Sequence, residues 1–203
     1  MTGKTGHYAI LEQFLADGVE YIFGNHGTVA QGFIDDLEDY PQLKYVLTLQ
    51  ERVALMTADG YARATQKPTV VQIHSAPGLG NAVGAMYQAM RGHAPLVVMG
   101  GDAGIKYQAL DAQMAADLVA IAEPVTKWST MVSDASSLLR VLRRAIKIAS
   151  TPPMGPVYIC LPQDILNEIA LEPVRPTSLP STRVVPDDAT IQEMAQLLVN
   201  AAQ

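Results

Sequence analysis

Leu47-Thr48-Leu49-Gln50-Glu51-Arg52, then Asp59-Gly60-Tyr61-Ala62, then Ile73-His74-Ser75-Ala76-Pro77-Gly78, contain two successive handovers from an apolar run to a helical pattern. Residues 45–49 predict a strand and residues 51–64 a helix; residues 69–74 predict the next strand and residues 78–90 the next helix. Glu51 stands at the first handover and His74 at the second. In an open parallel sheet, ligands bind outside the carboxyl ends of the strands. An acid there is partly removed from water, and burial works against the charged form of a carboxylic acid. Glu51 could simply favour a helix dipole, and His74 could be a satisfied core histidine. Placed together at what read as neighbouring strand ends, beside a glycine-rich turn, they point to a site.

Outward from this stretch the same alternation continues. Residues 10–15 mark a first helix with Gly18 placed to end it, and residues 21–23 a short strand closed by Gly24. Thr28 can cap a helix running to about Asp39. Residues 96–99 read as a strand leading into Gly100-Gly101-Asp102, and residues 111–122 as helical. Residues 125–132 read as extended, residues 134–149 as an amphipathic helix, and residues 157–161 as a last strand stopped by Pro162. Strand-then-helix repetition, with short branched apolar strands, specifies an α/β, doubly wound, mostly parallel sheet with helices on both faces and right-handed crossovers. After Leu171 the texture changes. Pro173, Pro176, Pro180 and Pro186 punctuate residues 172–187 as a linker between domain 1–171 and the start of a further domain at 188–203.

Composition restricts the function classes. The chain has 203 residues, 49% hydrophobic and 17% charged, which is the balance of a folded domain. A net charge of -6 argues against a nucleic-acid binder. Arg140, Arg143, Arg144 and Lys147 have helical spacing and read as a solvated helix face. Cys160 is the single cysteine, so no internal disulfide forms; inside Val157-Tyr158-Ile159-Cys160-Leu161 it reads as a small core residue. Residues 69–90 lack Asp, Glu, Lys and Arg, but Gln72, His74, Pro77, Asn81 and Gln88 make them a poor membrane span. With no apolar signal segment at the N-terminus, a cytoplasmic location is expected.

Two further turns carry candidate residues. Gly78-Leu79-Gly80-Asn81-Ala82-Val83-Gly84 follows a strand and opens a helix, and Asp102 ends the next strand, as in a dinucleotide fingerprint. Two strand-helix units precede it, however, and Gly80, Gly84, Ala85 and Ala89 also suit close helix packing. Gly24-Asn25-His26-Gly27-Thr28 is a third strand-end turn, with ordinary turn and cap chemistry as its plain reading. His93, before Ala94-Pro95, reads as loop. No Cys/His cluster has metal-ligand spacing, and neither a Gly-x-Ser-x-Gly elbow nor a phosphate loop is present.

Four segments in this order resemble the N-terminal, pyrimidine-binding domain of thiamine-diphosphate-dependent enzymes, in the branch of acetolactate synthase and benzoylformate decarboxylase. They are Phe23-Gly24-Asn25-His26-Gly27-Thr28; Gln50-Glu51 through Asp59-Gly60-Tyr61-Ala62-Arg63-Ala64; His74-Ser75-Ala76-Pro77-Gly78 with Asn81; and Gly155-Pro156-Val157 leading to Leu161-Pro162-Gln163-Asp164. The resemblance implies a six-stranded sheet over 1–171 and a truncated middle domain beginning at 188. It implies that Glu51 hydrogen-bonds N1′ of the cofactor's aminopyrimidine, so that the neighbouring amino nitrogen can accept the thiazolium C2 proton. It places Pro77 and Asn81 on the pyrimidine side. His74 would handle protons on substrate, with Asn25, His26 and Thr28 lining the substrate side.

The resemblance further implies a lyase or transferase that decarboxylates 2-keto acids or joins their fragments, with thiamine diphosphate and Mg²⁺ as cofactors. Where that family's turn reads Gly-x-Pro-Gly, this chain has His26, a departure that bears on substrate contacts. The Gly-Asp-Gly…Asn motif that holds diphosphate and Mg²⁺ in the family does not occur; Gly101-Asp102-Ala103 is the nearest approach. The chain then reads as a fragment, inactive alone, whose absent middle domain could carry FAD. A homodimer or homotetramer through this domain is expected, with the helix at residues 80–89 and Ala54, Ala58 and Ala62 as candidate contacts. The competing readings are a nicotinamide-dependent oxidoreductase using Gly78 to Gly84 with Asp102, and a non-catalytic assembly module.

Overall fold

Six strands form one parallel sheet: β1 (Tyr21–Gly24), β2 (Lys44–Leu47), β3 (Thr69–Ile73), β4 (Leu96–Asp102), β5 (Trp128–Met131) and β6 (Val157–Pro162). Their order across the sheet is β2-β1-β3-β4-β6-β5. The computed structural model describes residues 4–28 and 31–201. Every residue of β3, β4 and β6 is buried, which explains why those runs lack a polar alternation. The helices are α1 (Gly6–Ala16), α2 (Gln31–Asp36), α3 (Glu51–Thr65), α4 (Ser75–Arg91), α5 (Ile105–Gln108), α6 (Leu118–Ala122), α7 (Leu138–Ser150), α8 (Gln163–Leu166) and α9 (Asp188–Asn200).

The pleat of the sheet sorts the core into two layers. Ile10 and Phe14 of α1 and Leu142 and Ile146 of α7 pack with Val70, Val97 and Ile159 on one face. Ala54, Ala58 and Ala62 of α3, with Leu79 and Met86 of α4, pack with Val71, Ile73, Val98 and Tyr158 on the other. Neighbouring strand residues thus serve opposite layers. The three arginines of α7 are engaged within the chain: Arg140 and Arg143 pair with Glu172 at 2.7 and 3.4 Å, and Arg144 lies over the Trp128 ring at 4.8 Å.

The strand order creates the site. From β1 the chain moves outward to β2, then returns across β1 to begin β3 and continues the other way to β4. The crevice between β1 and β3 is therefore a topological switch point, where an open α/β sheet offers a ligand its opening. Gly24 lies opposite Gln72 in the register, and the Asn25 amide donates to the Gln72 carbonyl at 3.2 Å.

Several elements differ from expectation. Helix α4 begins at Ser75 rather than residue 78, because Pro77 falls in the first turn, where its missing N–H costs nothing. The helix expected from Thr28 is described from Gln31; residues 29 and 30 lie outside the described residues. Residues 111–122 are helical only over α6, where the Asp117 side chain caps the Ala120 amide at 3.0 Å. Upstream, Asp111 has φ +48 and the Met114 carbonyl is taken by Ser75, so tertiary bonds override the local helical preference. Ala54, Ala58 and Ala62 face the core and are fully buried, so they are not available for contact with another subunit.

Residues 172–187 form neither helix nor strand. Their first part is tied down: Gln13 donates to the Arg175 carbonyl at 2.7 Å, and the Thr177 amide and hydroxyl donate to Asp17 at 2.6 and 3.0 Å. Helix α9 has no buried residue and exposes Ile191, Met194, Leu197 and Leu198. The layered core predicts that Phe14→Ala, at a side chain with no exposed surface, removes about 3–5 kcal/mol of stability. Urea unfolding checks this, and a loss below about 1 kcal/mol would mean that α1 does not anchor the layer.

Candidate active site

Glu51 is placed by its neighbours along the chain. The Thr48 amide donates to the Gly24 carbonyl at 2.8 Å, drawing the end of β2 against β1. Gln50 then caps α3 through the Val53 amide at 3.2 Å, which makes Glu51 the first residue of the helix. The residue is only 6% exposed. Its Oε1 accepts a hydrogen bond from Asn25 Nδ2 on the β1 turn, and its Oε2 accepts one from Asn81 Nδ2 on α4, both at 3.0 Å. A Cβ on Gly78 would lie 2.9 Å from Oε1, so a glycine is needed for the first turn of α4 to lie against the acid. None of the ion pairs among the described residues includes Glu51. Each carboxylate oxygen keeps capacity for a further donor.

His74 closes β3 and is half-buried. Its ring lies on the backbone of Gly27, where any Cβ would overlap it. Its Nδ1 is buried and has no hydrogen-bond partner. Glu51 and His74 are not at neighbouring strand ends, because β1 stands between β2 and β3. The β1 turn bridges them instead, with Asn25 on Glu51 and Gly27 under His74. Strand order is not written in local pattern, and this bridging turn is what the sequence reading missed. The residue after His74 was also missed: Ser75 has φ +53, fully buried, with its hydroxyl donating to the Met114 carbonyl at 3.1 Å. A non-glycine residue in that conformation costs about 1–3 kcal/mol.

The remaining candidates surround this pair. Asn25, expected on the substrate side, gives its amide to Glu51. His26 is exposed, with its ring 6.1 Å from that of Tyr45. Thr28 is exposed on the same turn, and Pro77 is exposed in the first turn of α4. His93 lies in the loop between α4 and β4, at the opposite end of the strands from Glu51, with Nδ1 3.2 Å from the Met154 carbonyl. Cys160 is fully buried on β6 and burial pushes its thiol up, as suits a core residue. Clefts of about 350 and 440 Å³ lie along residues 103–117, and neither is lined by Glu51 or His74.

The dinucleotide reading does not survive this geometry. A pyrophosphate at the start of α4 would meet the Glu51 carboxylate already lying over Gly78, charge against like charge. Asp102, the acid needed for a ribose, has no exposed surface, and its Oδ1 accepts the Gly104 amide at 2.9 Å. Among the described residues no group of His, Cys, Asp or Glu could hold a metal ion. No described helix is long and apolar enough to cross a membrane.

Comparison with known proteins gives concordant findings. The sequence profile of the family described as "Thiamine pyrophosphate enzyme, N-terminal TPP binding domain" matches residues 4–121. The chain is 34% identical over 200 residues to the mitochondrial acetolactate synthase catalytic subunit of Aspergillus candidus, covering 98% of this chain and 27% of that protein. It is 36% identical over 163 residues to benzoylformate decarboxylase of Pseudomonas aeruginosa, covering 79% of this chain and 30% of that protein. The crystal structure of benzoylformate decarboxylase from Polynucleobacter necessarius superposes with a TM-score of 0.85 at 27% identity, over 97% of this chain and 37% of that one. The chain thus spans about a third or less of the length of the curated relatives it matches.

Burial pushes the Asp102 carboxyl up, while the backbone N–H groups of Gly104 and Ala116 oppose that shift. Above the unfolded value of about 3.9 and below the raised folded value, the folded chain holds the extra proton. Stability therefore falls as pH rises through that window. Asp102→Asn should abolish this slope, leaving stability at neutral pH equal to or above that of the parent. Denaturation midpoints between about pH 3 and pH 7 check it. A variant weaker at neutral pH by more than about 1 kcal/mol would show that the carboxylate is held favourably.

Proposed function

The chain belongs to the thiamine pyrophosphate enzyme family as its N-terminal TPP binding domain, and on that premise we propose that Glu51 receives the aminopyrimidine of thiamine diphosphate. The whole protein would then decarboxylate 2-keto acids or join their fragments, as a lyase or a transferase. One observation carries the reading: a buried carboxyl at the switch point, fixed in direction by Asn25 and Asn81, where a proton on the acid can be shared with a ring nitrogen that accepts it. The donor set suits a heterocycle. Neutral amides hold the acid from within the chain, and Gly78 leaves it room. The bound cofactor supplies a nucleophilic thiazolium carbon and an electron sink.

Glu51 would exchange a proton with N1′ of the pyrimidine, a transfer that needs a fixed carboxyl within hydrogen-bond reach. Asn81 and Pro77 would bound the pyrimidine side from α4. His74, seated on Gly27, would move protons at the substrate's oxygen. The turn Asn25-His26-Gly27-Thr28 would border the substrate, with His26 and Thr28 as its exposed side chains. Mg²⁺ and the diphosphate would be held by parts of the whole protein outside these 203 residues, and a flavin, in a version of the protein that uses one, would sit beyond the linker.

Assembly with a second copy is part of the same proposal. Helices α3 and α4 turn Val53, Met56 and Gly60, and Gly80, Gly84 and Tyr87, toward solvent at intervals of three or four residues. Small residues there permit close approach of another helix pair, and a two-fold dimer or tetramer is the expected form. A cytoplasmic setting is proposed as well, consistent with the single buried thiol of Cys160.

In the intact protein, Glu51→Gln should slow exchange of the cofactor C2 proton by roughly 10²–10⁴-fold. His74→Ala should spare that exchange while impairing turnover of the 2-keto acid. Quenched-flow NMR of the C2 proton measures the first and steady-state kinetics the second. Undiminished exchange in Glu51→Gln would remove Glu51 from the assigned role.

A further inference from the structure

We infer that Ser75 is the positioning residue for His74: its buried hydroxyl, anchored on the Met114 carbonyl, holds the left-handed turn that seats the imidazole on Gly27. This rests on the reading of His74 given above.

The constraint begins at the end of β3. All five residues of that strand are buried, and Ile73 is in register with Gly100 of β4. His74 is still extended, with φ -103 and ψ 106, yet α4 begins at the next residue. The chain passes from strand to helix within one residue, and that residue takes φ +53. Glycine would do this freely, whereas a serine stays there only where its surroundings leave no alternative. Two bonds supply that constraint. Ser75 Oγ donates to the Met114 carbonyl at 3.1 Å, and the Gly78 amide donates to the His74 carbonyl at 3.0 Å. The segment carrying Met114 is itself held on its C-terminal side, where Asp117 caps α6.

The consequence falls on the imidazole. A working histidine is commonly aimed by a hydrogen bond to one ring nitrogen. Here Nδ1 is buried with no partner, so packing aims the ring rather than a hydrogen bond. What sets its direction is the backbone at positions 74 and 75 together with the contact on Gly27. Ser75 is not itself a nucleophile, because it has no exposed surface and its hydroxyl is already committed to a carbonyl. It acts through His74.

The test uses the intact protein with thiamine diphosphate and a 2-keto acid that it turns over. Ser75→Ala removes the anchor. Ser75→Gly removes it as well but suits a positive φ, so it guards against a variant that fails to fold. Each is made alone and combined with His74→Ala. Both single variants should lower kcat roughly 10–100-fold, with KM little changed and C2-proton exchange at the parent rate. In the His74→Ala background, neither should cause further loss, because a residue acting through His74 has nothing left to position. Turnover within twofold of the parent, slowed C2 exchange, or full additivity with His74→Ala would each overturn the role of Ser75. Parent-like turnover of His74→Ala by itself would instead overturn the underlying reading of His74.

Discussion

A single carboxylate ties together three elements that are far apart in the chain. Glu51 opens α3, Asn25 follows β1 and Asn81 lies in the second turn of α4, and both amides converge on the two oxygens of that acid. An uncompensated carboxylate buried at this point would be strongly unfavourable. The two amides make its burial tolerable and fix its direction. In turn, the acid holds the β1 turn against α4 across the crevice between β1 and β3. The site is thus part of the packing at the switch point, not an addition to it.

Two glycines and one strained serine complete that arrangement. Gly78 lets the start of α4 lie on the acid, and Gly27 lets the β1 turn lie under the imidazole. Ser75 turns the chain between them. Local strain of this kind persists where a rigid scaffold over-determines it. The scaffold here is the fully buried β3–β4–β6 centre of the sheet, with a helical layer on each face. Strain in the site and stability in the sheet are complementary.

Much of this was legible in the sequence. The alternation of apolar runs with helical patterns locates all six strands, and it is clearest for β3, β4 and β6, which are buried on both faces and therefore largely apolar. Glu51 and His74 stood out because each ends such a run. What cannot be read is pairing order: nothing local says that β1 inserts between β2 and β3, and so nothing in the sequence brings Asn25 onto Glu51. The stretch at residues 111–122 departs from its local pattern for a related reason. Its alanines suit a helix, but the bond from Ser75, distant in sequence, takes the Met114 carbonyl and holds the chain otherwise. Ala54, Ala58 and Ala62 have the spacing of a helix contact face, and a single sequence does not reveal which of two neighbours that face meets.

The central claim is direct contact between Glu51 and the pyrimidine of the cofactor. ¹⁵N NMR of thiamine diphosphate labelled at N1′, bound to the intact protein, tests it most directly. A hydrogen bond from the acid predicts an N1′ resonance displaced from that of free cofactor, and a return toward the free value in Glu51→Ala. The same N1′ resonance in both proteins, with cofactor bound in each, would contradict it.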